Sequence, residues 1–189
     1  MAPGAAVDAI NLRGAGGQSV FLHASRLRTL LIGDGASIGP TLFLAEQLRA
    51  QLLAPSAAIG PTVATVPNAA VPWRPLVLLG SATPFPFRPR PSVIIVPGIP
   101  NGVIACMPLL EEWGIASRLA STADFPGCFD GLVTDLADAW LNSLGSADLS
   151  EVEIFSHGPT PMLEATAELA RRYGVPYQTS PQGAPTSRN

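Results

Sequence analysis

The chain has 189 residues, enough for one substantial core, and 47% of them are hydrophobic while only 13% are charged. A formal net charge of −3 offers no basic footprint, so a nucleic-acid partner is not expected. Pro or Gly interrupts every apolar run before it reaches the roughly 18–20 residues of a membrane span. Two cysteines without a C-x-x-C pair, and no signal-peptide pattern at the start, predict a cytoplasmic protein without a membrane anchor or a metal site.

The first half of the chain predicts a strand–loop–helix unit over residues 27–51. Its apolar run at 28–32 is typical of a buried strand that enters a glycine turn. The following helix carries Pro40 near its first turn, where a missing N–H is harmless, and an apolar face at spacings of three and four. A second buried strand is predicted at 76–79.

Two proline-dense stretches, residues 54–75 and 84–100, are predicted to be surface excursions because proline cannot continue a helix or a central strand. Within the second stretch, the β-branched run at 92–96 predicts a further strand. The elements predicted beyond it are a helix at 102–113 that kinks or begins near Pro108, a strand at 115–120, a helix at 130–144, a strand at 151–155, a helix at 161–173 and a strand at 175–179. Residues 181–189 are predicted to be a flexible tail.

This alternation of strands and helices predicts an α/β fold with a doubly wound parallel sheet, Rossmann-like and three-layered, over residues 27–180. Such sheets bind ligands in the crevice at the carboxyl ends of their strands. Two loops of this sequence are expected at that end.

The first loop spans residues 33–40 and joins the first strand to its helix. Glycine lets a backbone turn sharply and approach a phosphate, and the helix start offers free N–H groups and a positive dipole end. The candidate ligand contacts in this loop are Gly33, Gly35, Ser37, Gly39 and Pro40. Asp34 adds a carboxylate that opposes phosphate binding unless it points away.

The second loop spans residues 156–162 and again lies between a strand and a helix. His157, at the carboxyl end of the strand, is a candidate proton donor, hydrogen-bond donor to a cofactor, or stacking surface. The alternative is a histidine whose nitrogens are satisfied by neighbouring backbone groups. Position alone does not separate the two interpretations.

Together these loops resemble the nucleotide domain of the ferredoxin–NADP reductase superfamily, and within it the electron-transfer subunit of dihydroorotate dehydrogenase. The loop at 33–40 is similar to that family's G-G-G-I-G-I-A-P segment. Residues 131–137 are similar to its G-F-V-T-D-L-L segment, residues 156–163 to its A-C-G-P-x-P-M-L segment, and residues 170–180 to the stretch that follows. The resemblance covers roughly residues 28–180.

The resemblance implies a pyridine-nucleotide site. The loop at 33–40 would hold the pyrophosphate of NAD or NADP, and Gly80 and Ser81 would lie near the adenosine ribose. Thr134 would contribute a cofactor contact from the 131–137 segment. His157, Gly158 and Pro159 would sit beside the nicotinamide and a flavin ring, with His157 as the catalytic candidate. Hydride would pass from the nicotinamide to FAD.

The sequence departs from the family in four respects, one of which is in the first loop, where Ser37 replaces a glycine and Asp34 adds a negative charge. The residues before 28 are too few to form the family's flavin barrel, so residues 1–26 are expected to be at most a remnant of its end. The cysteines of the family's iron–sulfur tail are absent, so no cluster is expected on this chain. His157 also replaces the cysteine that faces the nicotinamide.

We therefore expect an NAD(P)H-binding electron-transfer subunit whose FAD is supplied at an interface with a flavoprotein or dehydrogenase subunit. A homodimer through the surface left by the barrel is the alternative assembly. Two other functions remain open: a non-catalytic scaffold that keeps the fold, and a crevice that binds another nucleotide or small anion. Arg88 and Arg90 would meet the 2′-phosphate of NADP or be solvated, so the sequence does not choose between the two nucleotides.

Overall fold

A computed structural model describes residues 9–13, 19–23, 26–53 and 74–181. The predicted excursion at 54–75 lies outside these ranges except for its last two residues, and the predicted tail lies outside them beyond residue 181. Residues 14–18, between the two N-terminal strands, also lie outside these ranges. The helices and strands are β1 (Ala9–Arg13), β2 (Ser19–His23), β3 (Arg28–Asp34), α1 (Ile38–Leu53), β4 (Leu76–Gly80), β5 (Arg90–Pro91), β6 (Ala105–Cys106), α2 (Pro108–Glu112), β7 (Ala116–Ser121), β8 (Phe129–Asp130), α3 (Val133–Asn142), α4 (Ser146–Ser150), β9 (Val152–Gly158), α5 (Thr160–Tyr173) and β10 (Tyr177–Pro181).

Six strands form one parallel sheet in the order β10-β9-β3-β4-β7-β8. The chain runs outward from β3 through β4 and β7 to the short edge strand β8, then returns to the other side of β3 for β9 and β10. The predicted α/β class with a parallel sheet is confirmed. β1 and β2 pair as a separate antiparallel hairpin.

Helices cover both faces of the sheet, because the central strands are apolar on both sides. On one face α1 and α2 pack on Leu31, Val77 and Leu79. On the other face α3 and α5 pack on a second set of strand residues that includes Leu30 and Leu78. The core therefore has two apolar layers separated by the sheet.

The helix boundaries follow local chemistry. A short 3₁₀ turn at Gly35–Ser37 leads from β3 into α1. Proline at its first position starts α2, where no N–H partner is needed. Gly174 adopts a left-handed conformation (φ 64°) and ends α5, as glycine does at many helix C-termini.

Two local predictions are wrong, and a third is decided between its two alternatives. Residues 92–96 do not form a strand, and Val93 and Ile95 are exposed instead of buried. The helix predicted at 102–113 begins at Pro108, the second of the two alternatives, and Cys106 precedes it in the buried strand β6. β9 continues through His157 and Gly158, which were predicted to lie in a loop.

Candidate functional site

The two loops that the sequence singled out meet at one point of the sheet. Gly33 of β3 is paired with His157 of β9, next to the ends of both strands. From there the chain enters α1 on one face of the sheet and α5 on the other. This is the position at which the strand order reverses, and parallel sheets open a ligand crevice at such a point.

On the α1 side, the crevice is bordered by the 3₁₀ turn at Gly35–Ser37. Gly35 adopts φ +55°, and apart from chain neighbours and the backbone of the same helix no atom lies within 4 Å of the Cβ position of Gly35 or Gly39. The amides of Ala36 and Ser37 belong to the first helical turn, where N–H groups precede any intrahelical acceptor. This side of the crevice is open and rich in amide donors, as an anion site requires.

Ser37 has a different environment from the glycines around it. Ser37 is completely buried, and its Oγ has no hydrogen-bond partner. Its carbonyl oxygen accepts a hydrogen bond from Thr41 Oγ1 at 2.8 Å, which fixes the first turn of α1 beside the half-buried Pro40. A buried hydroxyl without a partner is uncommon in folded proteins, and this one sits at the base of the predicted phosphate loop.

Three of the predicted cofactor-binding glycines are buried in helix–sheet contacts. A Cβ on Gly33 would lie 2.3 Å from Thr41 Oγ1 on α1. A Cβ on Gly80 would lie 2.6 Å from Asp34 Oδ1 and 2.9 Å from Val133 Cβ on α3, and one on Gly158 would lie 2.4 Å from Met162 Cε on α5. The close approach of helix to strand is therefore a sufficient physical reason for glycine at these positions.

Asp34 faces the side opposite to α1. Its carboxylate lies against Gly80, the last residue of β4, on the side where Val133 begins α3, since Oδ1 is the nearest atom to the Cβ position of that glycine. Burial raises the pKa of the Asp34 carboxyl, and a hydrogen bond from the Gly35 N–H opposes the rise. The negative charge thus lies on the α3 side of the crevice, while the open amides of the 3₁₀ turn lie on the α1 side.

His157 is half-buried near the end of β9. Its neighbour Ser156 is completely buried, and the Ser156 Oγ has no hydrogen-bond partner. The two side chains point to opposite faces of the sheet, because successive residues of a strand alternate. Ser156 was not predicted as a site residue, and no feature of the sequence marks it, since a serine near a strand end is common.

The remaining predicted contacts lie farther along the same end of the sheet. Ser81 is buried and satisfied internally: its hydroxyl donates to the Thr83 carbonyl at 2.7 Å, and its own carbonyl accepts from Ser121 Oγ at 2.7 Å. Thr134 is buried in the first turn of α3. Pro159 is exposed immediately before α5.

Beyond Ser81 a groove of about 540 Å³ opens on the surface. It is lined by Pro84, Phe85, Pro86, Phe87, Arg88, Pro89 and Phe125. The ring centroid of Phe85 lies 5.3 Å from that of Phe87 and 6.0 Å from that of Phe125, so the groove has an aromatic wall. Phe alternates with Pro at residues 84–89, and this pattern could have indicated the aromatic wall. The packing of Phe125 against that wall was not foreseeable from the sequence.

Within the ranges that the structure describes, no group of three or more His, Cys, Asp or Glu side chains is placed to hold a metal ion. No helix in the same ranges is both long and apolar enough to cross a membrane. Burial raises the pKa of both thiols, Cys106 and Cys128.

Comparison of the sequence with protein-family models and with curated proteins found no match.

Proposed function

We propose that the chain binds a pyridine nucleotide, NAD or NADP, in the crevice between the ends of β3 and β9. The observation that carries this proposal is the pairing of Gly33 with His157, which brings both predicted loops together where the strand order reverses. The resemblance to the ferredoxin–NADP reductase superfamily supports the same assignment, with residues 27–180 as its Rossmann-like nucleotide domain.

The chemistry of the crevice fits a dinucleotide. The pyrophosphate would bind at the amides of Ala36 and Ser37, where the Cβ positions of Gly35 and Gly39 have free space and the Ser37 hydroxyl lacks a partner. The nicotinamide would lie beside His157. The adenosine would extend past Gly80 and Ser81 towards the aromatic groove, where Phe85 and its neighbours offer ring faces to a base.

Asp34 is compatible with this orientation. Because its carboxylate faces α3, a bound ligand would keep its phosphates on the α1 side and present a hydroxyl or amide donor to the carboxylate. Thr134, in the first turn of α3, would flank the same part of the ligand.

We propose further that the chain is an electron-transfer subunit. A bound NAD(P)H supplies a hydride, and a flavin held by a partner flavoprotein or dehydrogenase subunit would receive it. The role of His157 would be to orient the nicotinamide through its imidazole. Gly158 and Pro159 would form the edge of the site that faces the flavin.

The test is calorimetric titration of the purified chain with NADH and NADPH, alone and in the presence of candidate flavoprotein partners. Binding of either nucleotide, with flavin reduction that is weakened by His157→Ala, is the expected result. Leu132→Ser serves as a control, because Leu132 is exposed at the start of α3 and Ser is a favourable residue before a helix. The absence of binding in every setting up to millimolar nucleotide would refute the proposal.

A second candidate function is a non-catalytic scaffold that retains the sheet. The half-buried Asp34 carboxylate favours it, because a negative charge in a crevice opposes an anionic ligand. Under this alternative, His157→Ala would leave cellular function intact, and substitutions on an exposed surface would abolish it. Complementation with both kinds of variant separates the two functions.

A further inference from the structure

The carboxylate of Asp34 lies over the end of the neighbouring strand. Asp34 is the last residue of β3 and is paired in register with Gly80, the last residue of β4. Its Oδ1 lies 2.6 Å from the Cβ position of Gly80, so the carboxylate occupies the space that a side chain at this position would fill. Glycine at the end of β4 therefore allows the carboxylate to lie at this place.

This carboxylate has unused acceptor capacity. An ionised carboxyl group can accept about four hydrogen bonds. Among the residues that the structure describes, only the Gly35 N–H donates to Asp34, and none of the cations in those ranges pairs with it. Asp34 is half-buried, so part of the side chain is open to the crevice. An open acceptor with one donor favours a ligand group that carries hydroxyls or N–H groups.

The order of the strands decides which part of a dinucleotide reaches Asp34. β3 lies between β9, which carries His157, and β4, which carries Gly80. The inference rests on the proposed function, in which the pyrophosphate binds at the start of α1 and the nicotinamide lies beside His157. The other half of the ligand, the adenosine, then passes over β4, and the aromatic groove beyond Ser81 lies in the same direction.

We propose that Asp34 determines the nucleotide specificity of the crevice, and that the chain binds NADH in preference to NADPH. The two ligands differ only at the 2′ position of the adenosine ribose, which carries a hydroxyl in NADH and a phosphate in NADPH. A hydroxyl donates a hydrogen bond to the carboxylate, whereas a phosphate places further negative charge against it. Parallel sheets that bind dinucleotides use an acidic residue for the first ligand and an arginine for the second.

The arginines near the groove do not offset this carboxylate. Nη2 of Arg90 lies 3.6 Å from Oε1 of Glu112 and donates to the Pro108 carbonyl at 3.2 Å, so Arg90 is engaged on α2. Arg88 lines the groove but is exposed, and water and salt screen an exposed cation on a flexible side chain. The half-buried carboxylate of Asp34 therefore sets the preference.

The test is calorimetric titration of the full chain with NADH and NADPH at a pH of about 8, where an ordinary carboxyl group is ionised. NADH is expected to bind at least about tenfold more tightly than NADPH, a factor that allows for solvent screening of a half-exposed charge. Asp34→Asn removes the charge and keeps an acceptor for the Gly35 N–H, and it should bring the two Kd values to within about threefold of each other. Asp34→Ser removes the charge with a smaller side chain and should have the same effect.

Two further variants serve as controls. Asp130→Asn removes an exposed carboxylate from the end of β8, at the same end of the sheet but two strands away from β4. It should leave the ratio of the two Kd values unchanged. Arg88→Gln removes the cation of the groove, and the preference for NADH should persist in it. Circular dichroism melting shows that each variant folds.

The outcomes separate this inference from the proposed function. A chain that binds neither nucleotide refutes both. Equal binding of the two nucleotides, or tighter binding of NADPH, overturns the role of Asp34 and leaves the nucleotide site standing. A preference for NADH that survives in both Asp34 variants, or that Asp130→Asn or Arg88→Gln removes equally, would also overturn it.

Discussion

Replacing Gly33 with alanine tests whether this glycine serves helix–sheet packing. The added Cβ would lie 2.3 Å from Thr41 Oγ1, 3.0 Å from Thr41 Cβ and 3.3 Å from the Ser37 carbonyl oxygen. Thr41 is buried and its hydroxyl is bonded to that carbonyl, so it cannot swing away without losing the bond. β3 or α1 must therefore shift.

The expected cost follows from these distances. Overpacking of a buried site costs about 1–3 kcal/mol. Alanine recovers roughly 0.5–1 kcal/mol relative to glycine in a strand, because it has less conformational freedom to lose. A contact of 2.3 Å is a severe overlap, so the overpacking cost is expected in the upper part of this range, about 2–3 kcal/mol. The net loss in the free energy of unfolding is then about 1–2.5 kcal/mol, with a fall in Tm of roughly 2–4 °C for each kcal/mol in a chain of this size.

Urea denaturation of a double-mutant cycle measures the effect. Thr41→Ala removes the atom nearest to the new Cβ, so Gly33→Ala should cost about 1 kcal/mol less in that background. Thr41→Ser keeps the hydroxyl and is the matched control, in which the full cost should persist. If Gly33→Ala changes stability by less than about 0.5 kcal/mol, or costs the same in the Thr41→Ala background, the packing role is wrong.

Three further substitutions have defined outcomes. Gly158→Ala should cost less than about 1 kcal/mol in the same assay, because the nearest atom is the flexible end of Met162, which can move; a loss as large as that of Gly33→Ala would contradict this. Burial raises the pKa of Asp34 above its ordinary 3.8, so the ionised carboxylate is disfavoured in the folded state. The free energy of unfolding therefore falls as the pH rises from 3.8 through the pKa of the folded state. Asp34→Asn should accordingly stabilise the chain at pH 7, with the gain vanishing in acid; thermal melts at pH 3 and pH 7 check both the sign and the pH dependence. Burial acts to raise the pKa of Glu111, but hydrogen bonds from Val93, Ser92, Cys106 and Ile94 outweigh this effect and lower the pKa. The ionised Glu111 carboxylate therefore stabilises the folded state above the ordinary pKa of 4.5, and this stabilisation is lost as the pH falls through the pKa of the folded state. Glu111→Gln should cost about 1.5 kcal/mol at pH 7 and speed amide exchange at Val93 and Ile94, and unchanged exchange would show that Glu111 does not hold residues 92–94 in place.

The architecture was predictable because the central strands carry a strong signal. The residues of β3 and β4 are apolar in succession, which is typical of parallel strands buried on both faces. Pro159 before α5 and Gly174 after it marked that helix within a residue. The meeting of the two loops then followed from the rule that parallel strands end at the same edge of the sheet.

The segment between β5 and β6 could not be predicted from local patterns. Its β-branched run at 92–96 has strand propensity, but a strand needs a free neighbour for its backbone. Here the side chains of Glu111 and Arg118 form hydrogen bonds with the backbone groups of residues 93 and 94. Both side chains lie 17 or more residues away in the sequence. Strand propensity therefore predicted that Val93 and Ile95 are buried, whereas both are exposed.

The roles of the glycines were equally hidden. A glycine that contacts a phosphate and a glycine that admits a helix look the same in sequence. Only the close approaches of Thr41 to Gly33 and of Asp34 to Gly80 reveal a packing role, and both depend on the assembled sheet. The open space at Gly35 and Gly39 likewise appears only in the folded chain.

The measurement that tests the central claim most directly is an NMR titration of the isotopically labelled chain with NADH. The amides of Gly35–Ser37 and of His157 and Gly158 should shift together along one saturable binding curve, because both segments border the same crevice. No shift in either segment, or saturable shifts confined to another surface of the chain, would contradict the account.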